Sequence, residues 1–381
     1  MFPVPKRKGC TYDVQDDSDS ALEDSDRTKV PDGIDEDCTG LDSDAHKFLQ
    51  RYLVKKVEEY RRLRELRKKG WQSSQADDHF KKQRQTADSN NERKSQFFYN
   101  MMRTIASDLD KETGALTWHS NTPRRVLDMC AAPGGFIDQT MAMNPGKCSV
   151  RAMSLPVEDG GHDIRLENND VNVKFRDITM LAGEMYVFEE EVPDNFSDRD
   201  KLVFDTIFDR DEKYDLVFCD GQVLRTHQRS EWREPREATR LTVTQLALGL
   251  QHLKTGGTMV ILMHKLDSWR SFELVFQFSQ IANVSLYKHH NYHKTRSSFY
   301  LVARDVGATT PYAADLVDEW RNRYRTATFG SEDEWIEMHN VGEQTARFAL
   351  RRFGKMFVEM GTKIWKTQAD GLENAWFIKN K

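Results

Sequence analysis

The sequence predicts an α/β protein with a mostly parallel sheet of seven strands, an antiparallel last strand, and helical extensions at both ends. From residue 124 onward, seven short apolar runs alternate with helical stretches. Runs that are apolar throughout, without polar alternation, are typical of parallel strands covered on both faces. The last two runs are separated by only nine residues. Because a parallel crossover needs more residues than that, these two strands should be antiparallel.

The predicted strands follow the apolar runs in order. They are 126–130, 150–155, 171–175, 215–219, 258–263, 284–288 and 298–303. Between the fourth and fifth runs, leucines at helical spacing predict a crossover helix that ends at Gly256–Gly257. Residues 181–213 carry many acids and few strand signals, which indicates an insertion.

The charge of the 381-residue chain is unevenly distributed. Residues 1–45 hold 13 acidic against 5 basic side chains, whereas residues 46–94 hold 15 basic against 7 acidic ones. The first segment is also rich in serine and nearly free of aromatic residues, so we expect 1–45 to be a disordered acidic tail. The basic residues of segment 46–93 either face a polyanionic partner or form a solvated helix face.

Helices are predicted on both sides of the strand region. Apolar residues at steps of three or four predict one amphipathic helix over 47–69 that ends at Gly70. Residues 71–92 are polar and predict loop or frayed helix, and a second helix covers 94–108. The strand region, 94–305, follows as one domain, and residues 306–381 form a helical C-terminal extension of unknown role.

Composition excludes several classes of protein. None of the five cysteines falls in a CxxC pair, which indicates reduced thiols and neither a disulfide framework nor a zinc site. No segment approaches the roughly 20 apolar residues that span a bilayer, so no membrane partner is expected. A nuclear or cytoplasmic location is expected, and the basic cluster PKRK at 5–8 favours the nucleus.

The stretch VLDMCAAPGGF, at 126–136, is the first candidate ligand site. A strand that runs into a glycine turn and opens a helix is the usual place for a nucleotide-like ligand in an open α/β sheet. Gly134 and Gly135 are expected to let the backbone approach that ligand, with Phe136 following. The chain lacks GxxxxGK[ST] and GxSxG, and it has no GxGxxG at this turn. A triphosphate, a hydrolase elbow and a dinucleotide are therefore disfavoured.

Charged side chains close the next strands. Asp177 stands just past the third run, where it could accept a hydrogen bond from an adenine amino group. Asp220 closes the fourth run and Lys265 closes the fifth. Because the carboxyl ends of neighbouring parallel strands open into one crevice, we expect Asp220 and Lys265 to face each other. Taken singly, such residues are also helix caps or solvated strand ends.

The ordered motifs LDMCAAPGGF, FRDIT, LVFCDG, MVILMHK and KTRSSFYLVA resemble those of the FtsJ/RrmJ-type ribose 2′-O-methyltransferases. The resemblance spans about residues 90–305 and implies a Rossmann-like methyltransferase fold that uses S-adenosylmethionine (SAM). It also implies a Lys-Asp-Lys-Glu tetrad in which Asp220 is the aspartate and Lys265 the second lysine. Lys94 is the candidate first lysine, with Lys81 and Lys82 as alternatives.

This sequence departs from the family pattern at two positions. Ser298 stands where the tetrad glutamate is expected, and Ser154 ends the second strand where relatives often place an acid. The resemblance therefore implies that Ser154 or the backbone holds the cofactor ribose. Asp220 also counts among the expected cofactor contacts.

The segment KHHNYHKTRS, 288–297, is the expected RNA contact, with Lys294 and Arg296 as phosphate partners and Tyr292 or a histidine as a stacking surface. Its three histidines are interpreted as a surface hairpin and not a metal site, because two are adjacent and no acid is near them in sequence. The sequence gives no indication of protein partners.

Two functions stay open. The first is a SAM-dependent 2′-O-methyltransferase acting on cap, ribosomal or transfer RNA. The second is a catalytically silent RNA-binding or scaffold protein of the same fold, indicated by Ser298 and the atypical second strand. Methylation of a protein or small molecule is disfavoured, since CDGQ stands where an amino-methyltransferase carries [DN]PP[YF].

Overall fold

The computed structural model describes residues 43–87 and 91–379. Its centre is a seven-stranded sheet in the order β3-β2-β1-β4-β5-β7-β6. The strands are β1 Arg124–Asp128, β2 Cys148–Ser154, β3 Val171–Phe175, β4 Tyr214–Cys219, β5 Leu253–Met263, β6 Asn283–Tyr287 and β7 Phe299–Val306. Strands β3, β2, β1, β4 and β5 are parallel, and β7 is antiparallel to both β5 and β6. The predicted fold class is confirmed.

Eleven α-helices surround the sheet in the described chain. They are α1 Asp44–Lys56, α2 Glu58–Trp71, α3 Ser74–Ala87, α4 Glu92–Thr113, α5 Gly135–Met143, α6 Glu237–Gln251, α7 Trp269–Ser279, α8 Pro311–Phe329, α9 Glu332–His339, α10 Glu343–Glu373 and α11 Trp376–Lys379. Residues 181–213 contain two short 3₁₀ turns, Glu189–Glu191 and Arg199–Lys201, and add no strand to the described sheet.

Strand alternation divides the core between the two faces of the sheet. In β4, Leu216 and Phe218 face one cluster, which α4 and α5 complete with residues such as Ile105 and Ile137. Val217 faces the other cluster, to which α6, α7, α8 and the terminal helices α1, α2 and α10 contribute. The helical extensions therefore share a hydrophobic core with the sheet and are part of the folded unit.

Two helix predictions were wrong in their limits. The expected single helix over 47–69 is broken at Val57, which is extended (φ −124°, ψ 110°) and buried. The break lets α1 and α2 each pack against the 31-residue α10. Helix α2 also runs past Gly70 to Trp71, and α3 fills much of the segment expected to be loop or frayed helix.

The crossover helix was also predicted too long. Helix α6 ends at Gln251, and Gly256–Gly257 lie inside β5. The Gly256 backbone has φ +83°, and the β5 pairings with β4 and β7 shift register nearby. These glycines therefore allow an irregular turn of the backbone within β5 and do not end a helix.

The acidic tail, the cysteines and membrane spanning were also subjects of prediction from the sequence. Most of the acidic tail and the PKRK cluster lie outside the described residues. Among the described residues, Cys130, Cys148 and Cys219 are free thiols. In the same part of the chain, no helix is both long and apolar enough to cross a membrane.

Gly135→Ala should destabilise the fold. A Cβ at this position would collide with the Tyr99 carbonyl oxygen and lie 2.7 Å from the Met102 Cβ, both on α4. Because one collision is with backbone, we expect a loss of about 1–3 kcal/mol of unfolding free energy in urea melts. The control is Gly70→Ala in α2, whose Cβ would make an ordinary 3.8 Å contact with Ile378. It should be neutral or stabilising by up to about 1 kcal/mol. Equal effects would contradict the packing argument.

Candidate active site

The glycine turn after β1 is set by close packing. Gly134 is left-handed, with φ +105°, and a Cβ there would lie 2.6 Å from Leu166 Cγ. Gly135 opens α5 directly against the backbone of α4. The space that a side chain at Gly134 or Gly135 would occupy is therefore filled by Leu166 and by α4, whereas the sequence predicted that a ligand would approach there. Arg165, next to Leu166, fixes the covering loop by donating its backbone N–H to the Pro133 carbonyl.

Phe136 is a core residue. Its ring lies 5.3 Å from that of Phe218 and 5.7 Å from that of Tyr300, measured between centroids. The side chain is fully buried, so it is one of the residues that seat α5 on the sheet. Contact with a cofactor would have to come from its backbone.

Two carboxyl groups are buried where the strand order reverses, at the ends of β1 and β4. Asp128 is 1 % exposed and Asp220 is 8 % exposed. The Oδ1 atom of Asp220 has no hydrogen-bond partner in the described chain. Burial raises the pKa of both groups, and the charge of Asp220 raises the pKa of Asp128 further. Asp128 was not predicted as a site residue, although it stands at the end of a strand within LDMCAAPGG.

Lys265 follows β5 at the same edge of the sheet. Cys219 pairs with Ile261, so Asp220 and Lys265 both lie just beyond the paired ends of adjacent strands. Lys265 has a left-handed backbone (φ +47°), and its N–H donates to the Ser297 carbonyl at 3.2 Å. Its half-buried side chain makes no hydrogen bond or ion pair with the described residues.

Ser298, the residue at the expected glutamate position, is buried beside this lysine loop. Its Oγ lies 3.2 Å from Nδ1 of His264. Beneath it, the ammonium of Lys288 donates to the carbonyls of Arg296 and Ser298, each at 2.6 Å. Burial, with a smaller effect of the Arg67 charge, lowers the pKa of Lys288 to about 7. No individual role was predicted for Lys288. The signal for it in the sequence was its place at the end of the apolar run 284–288.

Asp177 is engaged by protein groups. One oxygen accepts hydrogen bonds from the Thr179 N–H and hydroxyl, and the other lies 2.7 Å from the Arg233 guanidinium. Burial favours a higher pKa, but the hydrogen bond from His227 and the charge of Arg233 outweigh it and hold the pKa of Asp177 below its usual value. An adenine amino group would have to share these oxygens.

Ser154 is buried at the end of β2. Its carbonyl accepts the Arg176 N–H at 2.8 Å, so the backbone acceptor at this position is also engaged. A ribose hydroxyl would therefore meet the Ser154 side chain before its carbonyl.

The histidine hairpin differs from expectation in one respect. An acid does lie near it, because the fold brings Asp108 of α4 within 3.3 Å of His289 Nε2. His290 stacks on His289, and the three side chains could group around a cation. However, Nδ1 of His289 accepts the N–H groups of Asn291 and Tyr292. That leaves the proton on Nε2, which lies 3.3 Å from Asp108 without forming a hydrogen bond. A protonated ring nitrogen cannot bind a metal ion, so a metal site is disfavoured.

A second possible cation cluster, Asp177 with His227 and Glu237, holds an arginine instead. The Arg233 guanidinium lies 2.7 Å from Asp177 and 2.6 Å from Glu237. A metal ion would have to displace this buried charge. Both clusters are therefore better explained as polar contacts that join elements of the fold than as metal sites.

The remaining predicted contacts are more exposed. Lys294 is exposed and Arg296 half-buried in the hairpin, where Tyr292 is 39 % exposed. Lys94 is half-buried in the first turn of α4, and its ammonium has no partner in the described chain. Lys81 and Lys82 lie on α3, which packs against α2 and α11 and not against the glycine turn.

The model of one protein family, the FtsJ-like methyltransferases, matches residues 107–306, which is more than half of the chain. The chain belongs to the FtsJ-like methyltransferase family. No curated protein sequence matches it at a significant level. Family membership implies SAM-dependent methyl transfer. The match omits α1 to α3, the first part of α4 and all of α8 to α11.

The buried carboxyl groups fit a cationic cofactor. SAM carries a sulfonium and an ammonium, and Asp128 and Asp220 are neighbouring buried carboxyl groups, of which one oxygen has no hydrogen-bond donor among the described residues. A buried carboxylate without a partner is costly, and an adjacent cation offsets that cost. Asp220, Asp128 and the backbone of the glycine turn are the groups that would hold the cofactor.

Asp220→Asn should separate stability from binding. Without ligand, the buried Asp220 carboxyl keeps its proton in the folded state to a higher pH than in the unfolded chain, because burial raises its pKa. The free energy of unfolding therefore falls as the pH rises above about 4, where the unfolded chain releases this proton. We therefore expect the variant to be more stable than the native chain by about 1–3 kcal/mol near pH 8, and to bind SAM poorly.

Thermal melts at pH 5 and pH 8, with and without SAM, measure both effects. Asp318→Asn in α8, whose side chain is 72 % exposed, is the control. Native SAM affinity in the Asp220 variant, or equal pH dependence of all three proteins, would contradict this account.

Proposed function

We propose that this FtsJ-like protein transfers a methyl group from SAM to a ribose 2′-hydroxyl of RNA. One observation carries the proposal. Asp220 and Lys265 follow the paired ends of adjacent strands, β4 and β5, at the edge of the sheet where the glycine turn ends β1. A buried carboxyl and an ammonium without a partner among the described residues thus share the edge where open α/β sheets bind ligands.

The chemistry requires alignment and charge control. When bound, SAM supplies a methyl group activated by its sulfonium. The attacking ribose hydroxyl is a poor nucleophile, so the protein must hold it in line and ease loss of its proton. Positioning alone can supply roughly 7–11 kcal/mol of the barrier reduction.

In this proposal, Lys265 faces the 2′-oxygen, where it stabilises developing negative charge or accepts the proton. Asp220 contacts the cofactor. The two side chains follow adjacent strands, as expected, but they make no ion pair with each other in the described chain. Lys94, the proposed first lysine, adds a second positive charge from α4. Ser298 takes the fourth place, where its hydroxyl is already joined to His264.

RNA is the substrate that best fits the surface beside this edge. Lys294 and Arg296 supply positive charge to phosphates, and the partly exposed ring of Tyr292 offers a stacking surface. Phosphate contacts provide affinity, and unstacked bases pack on aromatic side chains. The cap, ribosomal RNA and transfer RNA all present such a ribose.

A second candidate is an RNA-binding protein that keeps the fold without catalysis, and the serine at position 298 favours it. The two are separated by incubating the protein with labelled SAM and capped or structured RNA. Label in a 2′-O-methyl nucleotide supports the enzyme, whereas SAM binding without transfer supports the silent protein. Mass spectrometry of the digested RNA identifies the nucleotide.

Lys265→Met should abolish methyl transfer and leave SAM binding intact. The substitution removes the charge next to the 2′-oxygen and keeps the aliphatic bulk, so we expect a loss of about 100-fold or more in kcat. The control is Lys254→Met at the start of β5, where the ammonium pairs with Asp215 at the opposite end of the strand. Calorimetry with SAM and single-turnover assays measure the two effects. Retained turnover would remove Lys265 from the mechanism.

Lys94→Met tests the proposed first lysine. If its charge assists the reaction from α4, kcat should fall about 10-fold or more while the protein melts at the native temperature. Lys111→Met, at the other end of the same helix and 71 % exposed, should keep native turnover. A native rate for the Lys94 variant would direct attention to another cation.

A further inference from the structure

The loop that carries Lys265 is held by the terminal helices, which lie outside the family match. It joins β5 to α7 across residues 264–268. Leu266 is buried against α10, where Gly361 leaves room for it: a Cβ on this glycine would lie 3.1 Å from Leu266 Cδ2. One residue from Lys265, the chain is therefore anchored in the core of the C-terminal extension.

Asp267 provides the strongest anchor. Its carboxylate is buried and accepts two hydrogen bonds from the Arg67 guanidinium, at 2.9 and 3.2 Å. The Tyr60 hydroxyl donates a third at 3.4 Å, and both donors belong to α2. Arg67 also donates to Gln368 of α10 at 3.3 Å. A two-pronged arginine–carboxylate pair fixes direction as well as distance.

Helix α1 holds the far end of the same loop. The Trp269 N–H, in the first turn of α7, donates to Nδ1 of His46 at 3.3 Å. The other ring nitrogen of His46 lies 2.8 Å from Gln50 Nε2, which fixes the ring. Helices α2 and α10 thus contact the loop that carries Lys265, and α1 contacts Trp269, the residue that follows the loop.

The backbone of Lys265 needs such support. A lysine at φ +47° occupies the left-handed region, which side chains with a Cβ rarely adopt and which persists only where the surroundings impose it. On its N-terminal side the lysine is fixed by the hydrogen bond to Ser297, and on its C-terminal side the Ser268 N–H donates to its carbonyl at 2.8 Å. Asp267 lies between these two anchors.

We propose that Arg67 is a positioning residue for methyl transfer: by fixing Asp267, it holds the backbone of Lys265 in its left-handed conformation and so sets the position of the ammonium during the reaction. This assignment rests on the proposed function of Lys265. It gives the helical extensions a catalytic purpose, since a family domain of residues 107–306 alone would lack both Arg67 and its helix.

The test compares two arginines of α2. Arg67→Met removes the pair with Asp267, and Arg67→Lys keeps the charge without the two-pronged geometry. The control is Arg62→Met, which removes pairs between the same two helices, with Asp370 at 2.7 Å and Glu373 at 2.6 Å, away from the lysine loop. Melting temperatures and SAM affinities are measured for every variant.

In steady-state assays we expect Arg67→Met to lower kcat about 10- to 100-fold with KM values for SAM and RNA within about twofold of native. Arg67→Lys should recover part of the loss, and Arg62→Met should match the native rate. If Arg67 acts through Asp267, Arg67→Met combined with Asp267→Asn should cost no more than the larger single effect. Equal losses in the Arg62 and Arg67 variants, or additive losses in the double variant, would overturn the proposal.

A second readout does not depend on activity. Lys265 is acetylated with a limiting acylating reagent, and its modification rate is followed by mass spectrometry relative to Lys254 in the same sample. The relative rate should change in Arg67→Met and Arg67→Lys and stay native in Arg62→Met. An unchanged rate in both Arg67 variants would overturn the positioning role even if one of them folds poorly. If the acetylation rate changes in the Arg67 variants but the native protein transfers no methyl group to RNA, the proposed function is refuted, whereas the inference that Arg67 positions Lys265 is retained.

Discussion

The burial of two carboxyl groups where the strand order reverses is the constraint on which the candidate site depends. Asp128 and Asp220 end neighbouring strands, and their burial raises the pKa of each. Such a pair weakens the ligand-free fold at neutral pH, and a bound cation relieves it. The neighbouring elements are also closely packed: the Phe136 ring of α5 lies against Phe218 of β4, and Leu166 covers the glycine turn.

Satisfaction of polar groups separates structural clusters from the candidate site. Arg233 neutralises Asp177 and Glu237, so that grouping is accounted for within the protein. At the ends of β4 and β5, one Asp220 oxygen and the Lys265 ammonium have no partner among the described residues. Buried groups left without partners are costly, and they are retained where a ligand or reaction uses them.

The terminal helices tie this site to the rest of the molecule. Their apolar faces join the cluster on one side of the sheet, and α2 and α10 are cross-linked by ion pairs at their surface. A loop that leaves a strand end is normally free to vary, but here α2 and α10 contact the loop that follows β5, and α1 contacts the first residue of α7 at its end. The extensions therefore restrict the geometry of the lysine that the family domain alone would present to solvent.

The strands, the glycine turn and the strand-end residues Asp220 and Lys265 could all be predicted from the sequence, because apolar runs and the residues that close them are local patterns. The sequence also contained the family motifs. Four features became visible only in the folded structure. Asp128 lies beside Asp220, Asp108 contacts His289, Val57 breaks the first helix, and Arg67 forms an ion pair with Asp267. Apart from the break at Val57, these are contacts between residues far apart in the chain, and the break serves the docking of α1 and α2 on α10. Packing between elements that are distant in sequence sets such features, so local sequence patterns cannot predict them.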